Sequence, residues 1–149
     1  MRITTNRSFC FFAIALTLLS SVMGGAGKKE KTVVISKELF HAIWMAESSG
    51  QVDPPDGDNG DSIGPYQISK AYFSDAKEFD KTITFEYEEL RGNKEKSEQV
   101  IRAYMQRYAP DNATAEQIAR IHNAGPRALT KERIRLTNKY WAKVREYLD

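Results

Sequence analysis

The chain has 149 residues, 41% of them hydrophobic and 28% charged, a balance that fits one globular domain with a single core. Its formal charge of +2 comes from 22 basic and 20 acidic side chains, and two of the basic ones, Arg2 and Arg7, lie in the first 24 residues. Without that segment the charges balance, which argues against a basic face for nucleic acid or anionic membrane.

Residues 1–24 read as a secretory signal peptide. Arg2 and Arg7 form a basic start, Phe9 to Leu19 is almost wholly apolar, and small residues follow at Ser20, Ser21, Gly24 and Ala26. Cleavage is expected after Gly24 or Ala26, because even Phe9 to Met23 falls short of the roughly 20 apolar residues of a spanning helix. Export to the extracellular space, or to the periplasm of a Gram-negative cell, follows. The segment also holds the chain's one cysteine, Cys10, so no disulfide can form within the mature protein.

Residues 25–36 are expected to be a flexible mature N-terminus, in which Val33-Val34-Ile35 could pack as an extended lead-in; a domain spanning 37–149 follows. Ser36 is placed to cap a helix in which Leu39, Phe40, Ile43, Trp44 and Met45 recur at helical spacing up to Gly50. Glu47 stands four residues after Ile43 and three after Trp44, on that apolar face. A carboxylate there is either a helix-end group reaching solvent or a cation, or a group tuned for function. His41 lies off the face and reads as surface.

Residues 51–64 form a loop: Pro54-Pro55 forbids a helix, and Asp56-Gly57-Asp58-Asn59-Gly60-Asp61 is rich in turn formers. A calcium loop of EF-hand type fails on spacing, since a count from Asp56 puts Gly60 fifth and Gln67 twelfth. Ser62 to Ile68 fits a short strand or an extended segment. Ser69 or its neighbour caps a helix from Lys70 to about Phe79, and 82–90 is ambiguous. Lys94 to Tyr108 carries an amphipathic stripe of Val100, Ile101, Tyr104, Met105 and Tyr108.

Thr114 and Gln117 have capping-box spacing and open a helix stopped by Gly125-Pro126, with Ile118, Ile121 and His122 turned inward. Asn112-Ala113-Thr114 matches a glycosylation acceptor, of consequence only in a eukaryotic secretory pathway. Leu129, Ile134, Leu136, Tyr140, Trp141, Val144, Tyr147 and Leu148 mark one or two closing helices.

The two histidines have no cysteine partners, and the chain lacks a glycine-rich phosphate loop and a Gly-x-Ser-x-Gly elbow. No metal or cofactor is expected. What remains is two carboxylates in unlike settings. Glu47 beside Ile43 and Trp44 is favoured as the protonated acid, and Asp58 in a donor-rich loop as the carboxylate. Those are the two roles of a glycosidase. Eleven residues separate them, and at about 3.5 Å per residue the chain can fold back far enough to bring them together.

Ala46-Glu47-Ser48-Ser49-Gly50, Ser62-Ile63-Gly64-Pro65-Tyr66-Gln67-Ile68, Arg102-Ala103-Tyr104-Met105-Gln106-Arg107-Tyr108, Arg120-Ile121-His122-Asn123-Ala124-Gly125-Pro126 and Tyr140-Trp141 resemble, in order, the invertebrate-type lysozymes of the destabilase group. The resemblance implies a mainly helical, lysozyme-like bundle around a cleft with at most a very small β element. It further implies cleavage of the β-1,4 bond between N-acetylmuramic acid and N-acetylglucosamine in peptidoglycan, by a monomer. Glu47 takes the acid position and Asp58 best matches the second carboxylate, with Asp56 and Asp61 as alternatives. Ser62, Tyr66, Gln67, His122 and Asn123 would bind the sugars, although His122 also fits a helix-end histidine with a purely structural role.

Two departures accompany the resemblance. The family is dense in disulfides and this mature chain has none. The Ser and Lys credited with isopeptidase activity in some relatives fall on Gly60 and Ser69, with Lys70 one residue off, so that activity is not expected. Two other readings remain open: a lytic transglycosylase using Glu47 alone to give 1,6-anhydro products, and a non-catalytic peptidoglycan- or inhibitor-binding module.

Overall fold

A computed structural model describes residues 31–148; the signal-peptide assignment and residues 25–30 of the mature N-terminus lie outside them. Val33 and Ile35 are buried while Val34 is 77% exposed, so the lead-in is extended and packs with period two. The Gln106 amide donates to the Val33 carbonyl at 3.0 Å and holds it to the core.

Among the described residues six α-helices follow, together with one hairpin of two-residue strands. Helix α1 (Lys37–Ser48) begins where the Ser36 hydroxyl accepts from the Leu39 amide at 3.1 Å. It ends at Ser49 and Gly50, both left-handed, with φ of 53° and 79°. Its Leu39, Phe40, Ile43 and Ala46 side chains are buried.

The expected extended segment is a hairpin. Strand β1 (Ser62–Ile63) pairs antiparallel with β2 (Ile68–Ser69), and the turn between them contains Gly64 and Gln67, both with positive φ. Helix α2 (Lys70–Phe79), capped by Ser69, packs on α3 (Lys94–Tyr108), so both boundaries expected from the sequence are met. The ambiguous 82–90 stretch ends in a 3-10 turn at Tyr87–Leu90.

Helix α4 (Ala115–Ala124) carries the full Thr114–Gln117 capping box, and the C-terminus divides into α5 (Lys131–Leu136) and α6 (Asn138–Arg145). Buried Arg120 fixes this end. It donates to Glu116 Oε1 at 2.9 and 2.6 Å, to the Ile134 carbonyl at 2.7 Å, to Thr137 Oγ1 at 2.6 Å and to Asn138 Oδ1 at 2.9 Å. Four partners satisfy a charge that burial would otherwise penalise, and they set α6 against α4 and α1. Among the described residues no helix is long and apolar enough to cross a membrane.

Candidate active site

Helical periodicity puts Glu47 on the last turn of α1, and the packing of α4 and α6 onto α1 decides what surrounds it. The Tyr140 hydroxyl on α6 donates to Glu47 Oε1 at 2.6 Å, and His122 Nε2 on α4 stands 3.5 Å from the same oxygen. The Glu47 side chain keeps 17% of its surface exposed and lines the cleft.

Burial, then the charge of Glu47 and the hydrogen bond to it, push Tyr140 well above the ordinary phenol range. Tyr72 is raised in the same direction by burial and by the proximity of Tyr104 and Glu47. Both hydroxyls therefore remain donors.

His122 Nε2 lies 3.2 Å from the Tyr66 carbonyl, and Nδ1 lies 3.4 Å from the Tyr72 hydroxyl. A carbonyl can only accept, so Nε2 carries the hydrogen; in the neutral ring Nδ1 then accepts from Tyr72. His122 thus turns an N–H toward both the Tyr66 carbonyl and Glu47.

Asp58 reaches the site from the loop. The 3-10 turn Asp58–Gly60 follows Gly57, which pairs with Ser62 through amide–carbonyl bonds of 2.9 and 3.2 Å, so the loop is folded back on β1. The Ser62 hydroxyl donates to Asp58 Oδ2 at 3.0 Å, and both residues line the cleft. Gln67 completes the arrangement by donating to the Gly64 carbonyl at 3.0 Å and the Pro55 carbonyl at 3.3 Å. A Cβ at Gly57 would lie 2.0 Å from Gln67 Oε1, so this contact needs glycine there.

Glu47, Asp58, Ser62, Gln67, Ser69, His122 and Asn123 line one cleft of about 150 Å³. Six of the seven residues expected at the site from the sequence meet in it. Tyr66 lies apart from them: its ring is fully buried edge-on to Phe40, its hydroxyl donates to Glu98 at 2.9 Å, and it is not among the residues that line the cleft. The hairpin turn sends this side chain into the core, and only its carbonyl serves the site, through His122.

The other loop carboxylates are accounted for differently. Asp56 pairs with Arg91 through both oxygens, and Asp61 is an exposed residue whose carbonyl accepts from Tyr87 at 3.2 Å. Sequence reasoning did not assign Tyr140 or Ser69 to the site. Tyr140 is 93 residues from Glu47, beyond any periodicity, and the sequence signal for it was the Tyr140-Trp141 block.

Lysozyme 1 of Crassostrea virginica is 32% identical over 117 residues, which are 76% of this chain and 60% of that protein. The chain thus spans about three-fifths of the length of that curated relative. Among solved structures, a chain in the crystal structure of Aeromonas hydrophila PliI in complex with Meretrix lusoria lysozyme matches with a TM-score of 0.62 at 26% identity. The match covers 75% of this chain and 89% of that one. Tapes japonica lysozyme matches with a TM-score of 0.58 at 25% identity, over 74% and 89% of the two chains. The mainly helical architecture with its minimal hairpin is the one expected, and with residues 37–147 matching the Destabilase family, the chain belongs to that family.

Proposed function

We propose that the protein is a secreted lysozyme that hydrolyses the β-1,4 bond between N-acetylmuramic acid and N-acetylglucosamine in peptidoglycan. The observation that carries this reading is that Glu47 and Asp58 line one cleft, the first accepting from the Tyr140 hydroxyl and the second in an exposed loop. Glu47 protonates the glycosidic oxygen as the bond breaks. Asp58 attacks or stabilises the developing sugar cation, and water then releases the second product. Ser62, Gln67, His122 and Asn123 supply polar contacts to the N-acetyl and hydroxyl groups. The names of the relatives support the substrate class.

The test is digestion of purified peptidoglycan with product analysis by mass spectrometry. The reading expects reducing muramic acid ends, and Glu47→Gln should slow release by on the order of a hundredfold or more. Products ending in 1,6-anhydro-muramic acid would replace it with a transglycosylase. Binding without soluble fragments between about pH 4 and 8 would replace it with a non-catalytic module.

A further inference from the structure

A second cavity, of about 430 Å³, shares no lining residue with the carboxylate cleft. One helical face of α2 forms its wall: Lys70, Phe73, Ser74 and Lys77 follow at spacings of three, one and three, with Lys81 beyond the helix end. Tyr87 closes the opposite side, its ring 5.6 Å from Phe73.

The pocket is built onto the cleft. Ser69 lines the cleft and the next residue, Lys70, lines the pocket. The Tyr87 hydroxyl donates to the Ile68 carbonyl of β2 at 2.8 Å, and burial, with the nearby charge of Glu88, raises this phenol to about 12, so it remains a donor. The far wall is held by Lys77, which donates to the Phe85 carbonyl at 2.8 Å and to Glu86 at 3.0 Å. Glu78, also at the rim, is engaged by Arg107 at 2.7 Å. Lys70 is exposed, and no hydrogen bond or ion pair of its side chain is recorded among the described residues.

We propose that this pocket binds the stem peptide of peptidoglycan, the short carboxylate-bearing peptide attached to the muramic acid whose linkage lies in the adjoining cleft. The inference rests on the reading of the cleft as a peptidoglycan hydrolase site. An apolar aromatic floor suits the methyl and methylene groups of a short peptide. Lys70 and Lys81 meet its carboxylates, and the acidic rim at Glu78 and Glu86 accommodates a free amine. A neutral sugar would leave the Lys70 charge unanswered, whereas a peptide that carries carboxylates answers it. The one-residue step from Ser69 to Lys70 matches the direct attachment of the peptide to the sugar.

The experiment compares kcat/KM on intact peptidoglycan with kcat/KM on the same glycan stripped of peptides by an amidase. Wild type should prefer the peptide-bearing polymer by about fivefold, the upper scale of an exposed charge contact. Lys70→Glu should bring that ratio to about one and leave the rate on stripped glycan unchanged. Ser74→Trp, which fills the pocket from an exposed position, should do the same. An equal wild-type rate on both polymers, or a preference untouched by both variants, overturns the proposal. Calorimetry with a soluble muramyl tripeptide on the Glu47→Gln protein separates it from the hydrolase reading. Binding lost with Lys70→Glu supports the pocket whatever the cleft does, and no binding overturns it.

Discussion

The Tyr140 hydroxyl on α6 donates to the Glu47 carboxyl group on α1 at 2.6 Å. The contact gives the acid one fixed orientation, and the phenol is an available donor at any pH near neutrality because burial and the Glu47 charge hold its proton. Tyr140→Phe keeps the ring and removes only this bond. Hydrolysis should fall by about tenfold, the scale of one hydrogen bond, while circular dichroism and melting stay near wild type. An unchanged kcat would mean that the bond does no positioning.

The second carboxylate has its own support in Ser62, whose hydroxyl donates to Asp58 at 3.0 Å. Asp58→Asn should reduce hydrolysis by on the order of a hundredfold or more, as expected for loss of a charge that stabilises the sugar cation. Ser62→Ala should reduce it by only about tenfold. The two variants are to be compared on the same peptidoglycan by release of reducing ends. Equal losses would show that Ser62 contributes more than orientation.

Asp56 and Arg91 anchor the loop that carries Asp58. The hydrogen bonds from Arg91 hold Asp56 below the ordinary carboxylate range against an opposing effect of burial, and the Arg91 charge adds to the lowering. A lowered value in the folded state contributes stability that is complete above the unfolded value and is lost as pH falls through the folded one. The anchor should therefore be intact at neutral pH and weaken below about pH 4. NMR amide shifts of Asp58, Asn59 and Gly60 should move in that window, and Asp56→Asn should give the low-pH positions at pH 7. Shifts in Asp56→Asn that match wild type at pH 7 would show that the pair does not hold the loop.

Gly64 opens the hairpin turn with φ of +72°, and a Cβ there would lie 2.5 Å from the Leu90 carbonyl oxygen. Gly64→Ala combines a left-handed backbone cost of about 1–2 kcal/mol with this backbone clash. A Tm lower by about 5–10 °C is expected, with activity reduced as well, because β1 and β2 carry Ser62 and Ser69 of the cleft. An unaltered Tm would mean that the 87–90 turn can move away without loss.

The sequence alone determined the features set by neighbours three or four residues away. Ser36, Ser69 and Thr114 read as caps, and their side chains accept the expected amides. The apolar stripes of α1 and α3 give the buried faces, and the 3.6-residue repeat put Glu47 on the inner side of its helix. The five blocks in order carried the family.

What only the tertiary structure decided is which groups meet across long stretches of chain. Three aspartates in a loop are equivalent to any periodicity argument, and Arg91, 35 residues from Asp56, takes one of them while the fold-back onto Ser62 turns Asp58 to the cleft. Tyr66 looked like a ligand of the sugar, yet the turn aims its ring at Phe40 and Glu98. Tyr140 reaches Glu47 because Arg120 fixes α6 in place, a link through three elements that no local pattern encodes. Helix faces follow from local backbone geometry, whereas the composition of this cleft follows from packing between distant segments.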